Sequence, residues 1–344
     1  MFNRLRQRIL GLEPVPARVP APAPAEKPEV TPEAVVWAYR LLLDREPESP
    51  QAVATKVSVF HTFRALRDEF LHSAEFRRNN QRAMQESEPP MSIEDVQSEA
   101  ELLPLFEHIQ SVWHHLGETE PHWSVLTAER FKQESIRGNE ADFYDSGRQD
   151  ADTLLGVLAR NGIDYTSLKS CLDYGCGIGR VTRWLAERFE RVYGYDISRA
   201  HLQSAKAYLA GEGIRNVTLC HLKQIQDLEN LPKVDLIYSH LVLQHNPPPI
   251  IGLIVRQFMR ALKEGGVAYF QIPTYKLGYR FSLSQYLSEG VAENESNLEM
   301  HALPQSRVFD IVRQEGGIPI EVFEDGCLGF GYGAVSNTFL VQKT

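Results

Sequence analysis

Apolar positions along this chain change their period twice. In TPEAVVWAYRLLLDREPESP the residues Val35, Tyr39 and Leu42 fall on one helical stripe, with Thr31 placed to cap it and Pro32 suited to its first position. FHTFRALRDEFLHSAEFRR repeats the spacing with Phe63, Leu66 and Phe70, so residues 30–85 are expected to form a small all-α domain. Ahead of it, MFNRLRQRILGL puts Phe2, Leu5, Ile9 and Leu12 on one face and Arg4, Arg6 and Arg8 around the others. So short a helix is marginal alone, which favours a frayed terminus over a peripheral membrane contact or docking helix. PVPARVPAPAPAEKPEV then reads as an extended tether, completing a segment 1–29 without a core. Residues 86–121 comprise a linker, QESEPPMSIED, and a stripe of Leu102, Leu105, Phe106, Ile109, Val112, Trp113 and Leu116 that Gly117 is expected to stop. This helix is expected to pack on its own domain; a homodimer seam would need three or more heptads.

From about Leu168 the rhythm becomes short β-rich runs separated by helical ones. SCLDY, RVYGYDI, NVTLCHL, VDLIYSH and GVAYFQI are five strands, and IPIEVFE and AVSNTFLVQ close the set at seven. RVTRWLAERF, RAHLQSAKAYLA, PPIIGLIVRQFMRALKEGG and QSRVFDIVRQEGG are the helices between them. The alternation predicts an α/β fold, a doubly wound and mainly parallel sheet over residues 122–344, with ligands at the carboxyl ends of its strands. Residues 274–303 break the pattern, and an excursion of that length at the ligand end reads as a lid.

Composition narrows the classes. At 344 residues, 43% hydrophobic and 24% charged, the chain can bury real cores, and it lacks both an apolar run of spanning length and the zones of a secretory signal. A cytoplasmic protein is expected. A net charge of −9 argues against nucleic acid as a general partner, because such binding needs a surplus of Lys and Arg. Cys171, Cys176, Cys220 and Cys327 have no metal spacing, so no metal site is expected, and they read as reduced thiols.

The chemistry concentrates in CLDYGCGIGRVT. As a dinucleotide fingerprint it fails, since the third glycine position holds Arg180 counting from Gly175 and Thr182 counting from Gly177. Asp173 would also repel a pyrophosphate. A cationic ligand reverses that sign: S-adenosylmethionine carries a sulfonium and an ammonium against one carboxylate. Asp196, closing RVYGYD about twenty residues later, stands where an α/β nucleotide site grips ribose hydroxyls. With Asp173, Gly175, Gly177, Gly179, Asp196 and VDLIYSHLVLQH in place, the chain resembles the class I S-adenosylmethionine-dependent methyltransferases from roughly Trp123 onward. The resemblance implies a Rossmann-like seven-stranded sheet. It also implies cofactor contacts at Asp173, Tyr174, Gly175, Cys176, Gly177, Gly179, Asp196, Ile197 and Ser239, at Leu222 or His221, and at Tyr144 in the aromatic stretch ADFYDSG.

Methyl transfer asks the protein for alignment, water exclusion and sometimes a base. By position near the fourth strand's end, His245 is the first candidate, His240 the second, and His301 on the lid a third. In HNPPP, Pro249 stands where an adenine- or glutamine-directed enzyme would have a stacking aromatic, so Asn246 is expected to cap a helix begun by prolines. The N-terminal helices resemble the bacterial domain-of-unknown-function family numbered 4214, through Tyr39, Leu42, Leu43, Arg45, Glu46, Ser73, Glu75 and Phe76. That family is often attached to enzymes of surface glycans. Together with Tyr275, Tyr279, Tyr286 and Tyr332 around the lid, this points to O-methylation of a glycan or glycolipid precursor. A small-metabolite acceptor, or a non-catalytic cofactor-binding scaffold, are the alternatives.

Overall fold

The computed structural model describes residues 30–76, 79, 89–96, 98–289, 298–327 and 333–344, and the chain divides into two units, Met1–Ala83 and Met84–Thr344. The basic segment and tether at 1–29 lie outside the described residues, as does Tyr332.

In the first unit, helices α1 (Pro32–Leu43), α2 (Pro50–Val59) and α3 (Phe63–Leu71) each begin at a hydroxyl cap. Thr31, Ser49 and Thr62 accept the backbone N–H three residues on, satisfying donors a helix start leaves open. Val35, Tyr39, Leu43, Val53, Leu66 and Phe70 form the core. Leu43, rather than Leu42, completes the fully buried stripe, and Phe63, at the start of α3, is 43% exposed. Helix α2 has no counterpart among the expected elements, because it buries only Val53 and so carries little periodic signal. After α1 the chain turns through Asp44, in the left-handed region at φ 53°. Arg45 then forks onto Glu75 at 2.5 and 2.8 Å and lies 4.9 Å over the Tyr39 ring. Ser73 accepts the Phe76 N–H at 3.1 Å, fixing the turn that presents Glu75.

The second unit contains β1 (Ser92–Ile93), α4 (Glu99–Thr119), α5 (Glu140–Arg160), β2 (Ser170–Tyr174), α6 (Thr182–Ala186), β3 (Arg191–Asp196), α7 (Arg199–Gly211), β4 (Val217–His221), β5 (Val234–Ser239), α8 (Pro248–Ala261), β6 (Leu262–Lys276), β7 (Arg280–Phe281), α9 (Leu283–Glu289), α10 (Gln305–Gln314), β8 (Gly317–Glu324) and β9 (Ala334–Lys343). Seven strands make one sheet in the order β4-β3-β2-β5-β6-β9-β8; β9 is antiparallel to both its neighbours and the other pairs are parallel. Strand alternation sorts the two faces. Leu172, Ile237 and Ala268 pack against α4, α8 and α10, while Cys171, Leu236 and Val267 pack against α5 and α6. Chain order reverses between β2 and β5, which opens a crevice at their carboxyl ends. This is the Rossmann-like α/β sheet the alternation predicts.

Four local expectations are corrected. Gly117 does not stop α4, which runs on to Thr119; a Cβ there would lie 2.5 Å from Ser198 Oγ, so the glycine lets α4 lie against the cap of α7. Helix α8 ends at Ala261, and LKEGG belongs to β6, where Leu262 already pairs with Val234 before Gly265 turns at φ 75°. The excursion after β6 is shorter than expected at its start, since Pro273 to Lys276 still pair with β9. Asn246 does not cap α8, whose N-cap is Pro247; its amide donates instead to the Val242 carbonyl at 3.0 Å, closing the turn before the helix.

Candidate functional site

Strand β2 delivers Asp173 and Tyr174 to the crevice, and the chain then bends through Gly175, Gly177 and Gly179 at φ 75°, 53° and 87°. Close approach also requires the first two. A side chain at Gly175 would collide with Val242, and one at Gly177 would meet Val125 at 2.9 Å. The Gly175 and Cys176 amides both donate to the Tyr195 carbonyl, at 2.8 and 3.0 Å, anchoring the turn to β3. Asp196, at the tip of β3, accepts the Gly177 N–H at 2.8 Å on one oxygen and the Ser198 N–H at 2.7 Å on the other. Its carboxylate therefore holds the glycine turn and the start of α7 in one arrangement, with further lone pairs left for a ligand.

Asp173 is 3% exposed and, among the described residues, accepts only the Thr182 hydroxyl, at 2.6 Å. Burial pushes its pKa up to about 7, with Thr182 and Arg180 opposing and Asp196 adding to the rise. The carboxylate is thus poorly compensated until something cationic reaches it.

A cavity lies over these residues, with about 910 Å³ of non-atom space when its open mouth is counted. Phe106, Ile109 and Trp113 of α4, with Ile197 and Leu222, give the cavity an apolar lining. Gln110 pins that wall by donating to the Leu222 carbonyl at 3.0 Å. Arg180, Tyr238, His240, Leu241, Val242, His245 and Asn246 also line it, the His245 ring 5.1 Å from that of Trp113. Leu241 holds φ 60°, a left-handed backbone that leucine rarely adopts, at the mouth of β5. Arg180 is 5% exposed; it pairs with Asp150 at 2.5 Å and donates to Ser146 at 3.1 Å, while its Nε meets no partner among the described residues.

Of the candidate cofactor-binding and catalytic residues named from the sequence, Asp173, Tyr174, Gly175, Cys176, Gly177, Asp196, Ile197, Leu222, His240 and His245 line the cavity. The others do not. Tyr144 stacks on Tyr208 with centroids 3.5 Å apart, and Gly179 turns toward Ala205 and Leu209. Ser239 donates to the Tyr174 carbonyl at 3.0 Å as a strand-to-strand tie, and His221 lies beside the Ile197 carbonyl. His301 sits between Tyr279 Oη at 2.7 Å and Glu299 at 3.1 Å, away from the cavity wall. Tyr286 also donates to Glu299, and Tyr275 to the Pro89 carbonyl, so these tyrosines fasten the excursion instead of presenting a platform.

The structure separates the candidate bases. His245 Nδ1 donates to the Glu299 carbonyl at 2.8 Å and Nε2 takes the Gln244 amide at 3.1 Å, so both nitrogens are engaged. Burial drives its pKa down to about 4, with His301 adding to the fall and the Glu299 carbonyl opposing it. His240 is held below its ordinary value by burial, with Asp150 opposing, and its Nδ1 has no partner among the described residues. Sequence reasoning missed Arg180, His201 and the α4 trio. Arg180 directly follows the third glycine, whereas the α4 stripe looks in sequence like any helix packed on a core.

Residues 172–268 match a methyltransferase domain family. The matched span runs from β2 to β6 and includes both carboxylates, the glycine turn, Arg180, His240 and His245. Within the matched span and the helix that covers it, the donor set suits S-adenosylmethionine: a poorly compensated acid near a glycine cradle, a second acid at the tip of β3, and apolar lining from α4, Ile197 and Leu222. The chain is 33% identical over 117 residues to N-terminal Xaa-Pro-Lys N-methyltransferase 1 of Rattus norvegicus, covering 33% of this chain and 51% of that protein. It is 29% identical over 116 residues to a ubiquinone biosynthesis O-methyltransferase of Idiomarina loihiensis, covering 34% of this chain and 46% of that one. It thus spans about half the length of the curated relatives it matches. Among solved structures, magnesium protoporphyrin IX methyltransferase from Synechocystis with bound SAH aligns with 57% of this chain and 83% of its own, at 20% identity and a TM-score of 0.42. Among the described residues no helix is long and apolar enough to cross a membrane, and no group of three or more His, Cys, Asp or Glu side chains could hold a metal ion.

Proposed function

We propose that this protein is an S-adenosylmethionine-dependent methyltransferase. The observation that carries the reading is Asp173: a carboxylate buried to 3% exposure beside a glycine cradle, paired among the described residues only with a threonine hydroxyl. Such a group is costly in an empty site and is relieved by a cationic ligand. Bound there, the cofactor supplies a methyl carbon already activated by its sulfonium. The chain's own residues do the rest. Asp173 faces the ammonium end, Asp196 offers its remaining lone pairs to the ribose, and the unpartnered Nε of Arg180 meets the carboxylate. Phe106, Ile109, Trp113, Ile197 and Leu222 exclude water from the base.

The acceptor enters from the His240 end, and we assign it as a hydroxyl on a bacterial glycan or glycolipid precursor. Support comes from the first unit, whose sequence resembles modules attached to surface-glycan enzymes. A small metabolite is the second reading, favoured by the lid tyrosines, which are spent on fastening the excursion instead of offering ring faces to a sugar. Transfer of labelled methyl groups to cell-envelope extracts, run beside a metabolite panel, separates the two. Label in the polysaccharide or lipid-linked fraction supports the first, and label only in small molecules overturns it. His240→Gln is expected to lower transfer at least a hundredfold with cofactor affinity within about threefold of wild type.

A further inference from the structure

Three elements meet at the methyl end: the tip of β5 with His240, the chain after β8 with Asp325 and Cys327, and β9 with Thr338. Cys327 Sγ lies 3.5 Å from His240 Nε2 and 3.7 Å from the Asp325 carbonyl. Asp325 is itself fixed, accepting the Cys327 N–H at 2.9 Å and the Thr338 hydroxyl at 2.7 Å. His240 Nδ1 is buried without a partner among the described residues. These facts choose a tautomer. A buried N–H with nothing to accept it is rarer than a buried lone pair with nothing to donate to it, and leaving a donor unmade costs about 1–3 kcal/mol. The ring proton therefore belongs on Nε2, directed at Cys327 Sγ, while the Cys327 S–H is directed at the Asp325 carbonyl. The thiol stays protonated in this role, its pKa pushed up to about 12 by burial and by Asp325.

We propose that Cys327 is a positioning residue that fixes His240 in the Nε2–H form, so that Nδ1, closed to solvent in this arrangement, keeps a lone pair that can receive the acceptor's proton once the acceptor displaces the packing over it. The inference rests on the methyltransferase reading above and names the base for it. As the acceptor oxygen bonds to the methyl carbon, the carbon–sulfur bond breaks with its electron pair left on sulfur, and the O–H proton passes to His240 Nδ1. The imidazolium so formed has Asp150 and Asp325 as nearby negative charges, opposed by Arg180, and returns its proton to solvent after release. His245 and His301 have no such lone pair to offer, since both nitrogens of each are engaged. The acceptor class follows: a nucleophile that must lose a proton, such as a hydroxyl, and not a tertiary amine or thioether.

Isotope-edited NMR of histidine side chains in the full chain tests this without an identified acceptor, with His240→Gln assigning the signal. The expected wild-type spectrum, alone and with S-adenosylhomocysteine, shows His240 protonated at Nε2 and bare at Nδ1. Cys327→Ala is expected to shift the population toward Nδ1–H, and Cys327→Ser, which keeps an acceptor for the Nε2 proton, to restore it. A wild-type ring protonated at Nδ1, or a Cys327→Ala ring indistinguishable from wild type, overturns the proposal. If Cys327→Ala does not fold, the wild-type and Cys327→Ser spectra still decide. Calorimetry with S-adenosylhomocysteine on the same samples keeps the two claims apart: absent binding in wild type sinks the methyltransferase reading, whereas the tautomer result bears on Cys327 alone.

Discussion

Asp173 shows how one side chain can be a liability without its ligand and a contact with it. Its folded pKa of about 7 lies above that of an exposed aspartate, so the native state binds this proton more tightly than the unfolded chain does. The group therefore costs stability as pH rises from the ordinary carboxylate range toward 7, and the full cost is present above that. Asp173→Asn is expected to raise the Tm of the ligand-free protein at pH 8, by an amount that shrinks as pH falls toward 4. The same substitution should weaken S-adenosylmethionine at least tenfold; a lowered Tm together with unchanged affinity would show that Asp173 is a structural acid. Arg180 has the opposite economy. Its charge is held by Asp150 and its Nε has no partner among the described residues, so Arg180→Gln should cost affinity mainly for ligands that carry the amino-acid carboxylate, leaving adenosine binding alike. The acids, the glycines and the histidines were legible in the sequence because a strand, a turn and an acid at fixed spacing are local. Which histidine nitrogen was uncommitted was not, because Cys327 and Glu299 come from chain positions far from both rings.

Among the elements, α4 changed its meaning most between sequence and structure. Its stripe is periodic and apolar, which tells a reader that it packs, and nothing in the period says that Phe106, Ile109 and Trp113 roof a ligand cavity. Gly117 was misjudged for a similar reason: a glycine late in a helix usually ends it, and only the neighbouring Ser198 reveals that this one buys close approach instead. Gly117→Ala should push α4 away from α7 and destabilise the protein by about 1–3 kcal/mol, seen as a lowered denaturation midpoint. An unchanged midpoint would mean that α4 can shift at no cost.

The segment after β7 is tied down by Glu299, whose carboxylate takes hydrogen bonds from His108 on α4, Tyr286 on α9 and His301, while its carbonyl takes His245. Burial alone would raise its pKa, but these bonds hold it well below the usual glutamate range. A depressed acid contributes stability above its unfolded pKa and loses it as pH falls through the folded value. Hydrogen-exchange protection factors around Tyr286 and His301 should therefore fall on acidification below the ordinary glutamate range. Glu299→Gln should show that loss of protection already at neutral pH, and a variant as protected as wild type would contradict the role.

Over the whole molecule, the seven strands and their mainly parallel, doubly wound sheet were legible because alternation of β and α runs admits few connections; the structure adds the strand order, whose reversal between β2 and β5 locates the crevice. The helical unit was legible through its caps, Thr31 and Pro32, and the stripe of α1, while α2 escaped notice because a helix burying one valine leaves hardly any pattern. The surroundings of His240 were the least legible feature, since they bring together β5, the chain after β8, and β9. The central claim is that two buried acids hold a cationic methyl donor, and calorimetric titration of S-adenosylmethionine into the full chain tests it most directly. Binding should occur, weaken by up to tenfold per pH unit below about 7 as Asp173 takes up its proton, and lose that dependence in Asp173→Asn. Absence of binding at neutral pH, or an identical pH profile in the wild type and Asp173→Asn, would contradict the account.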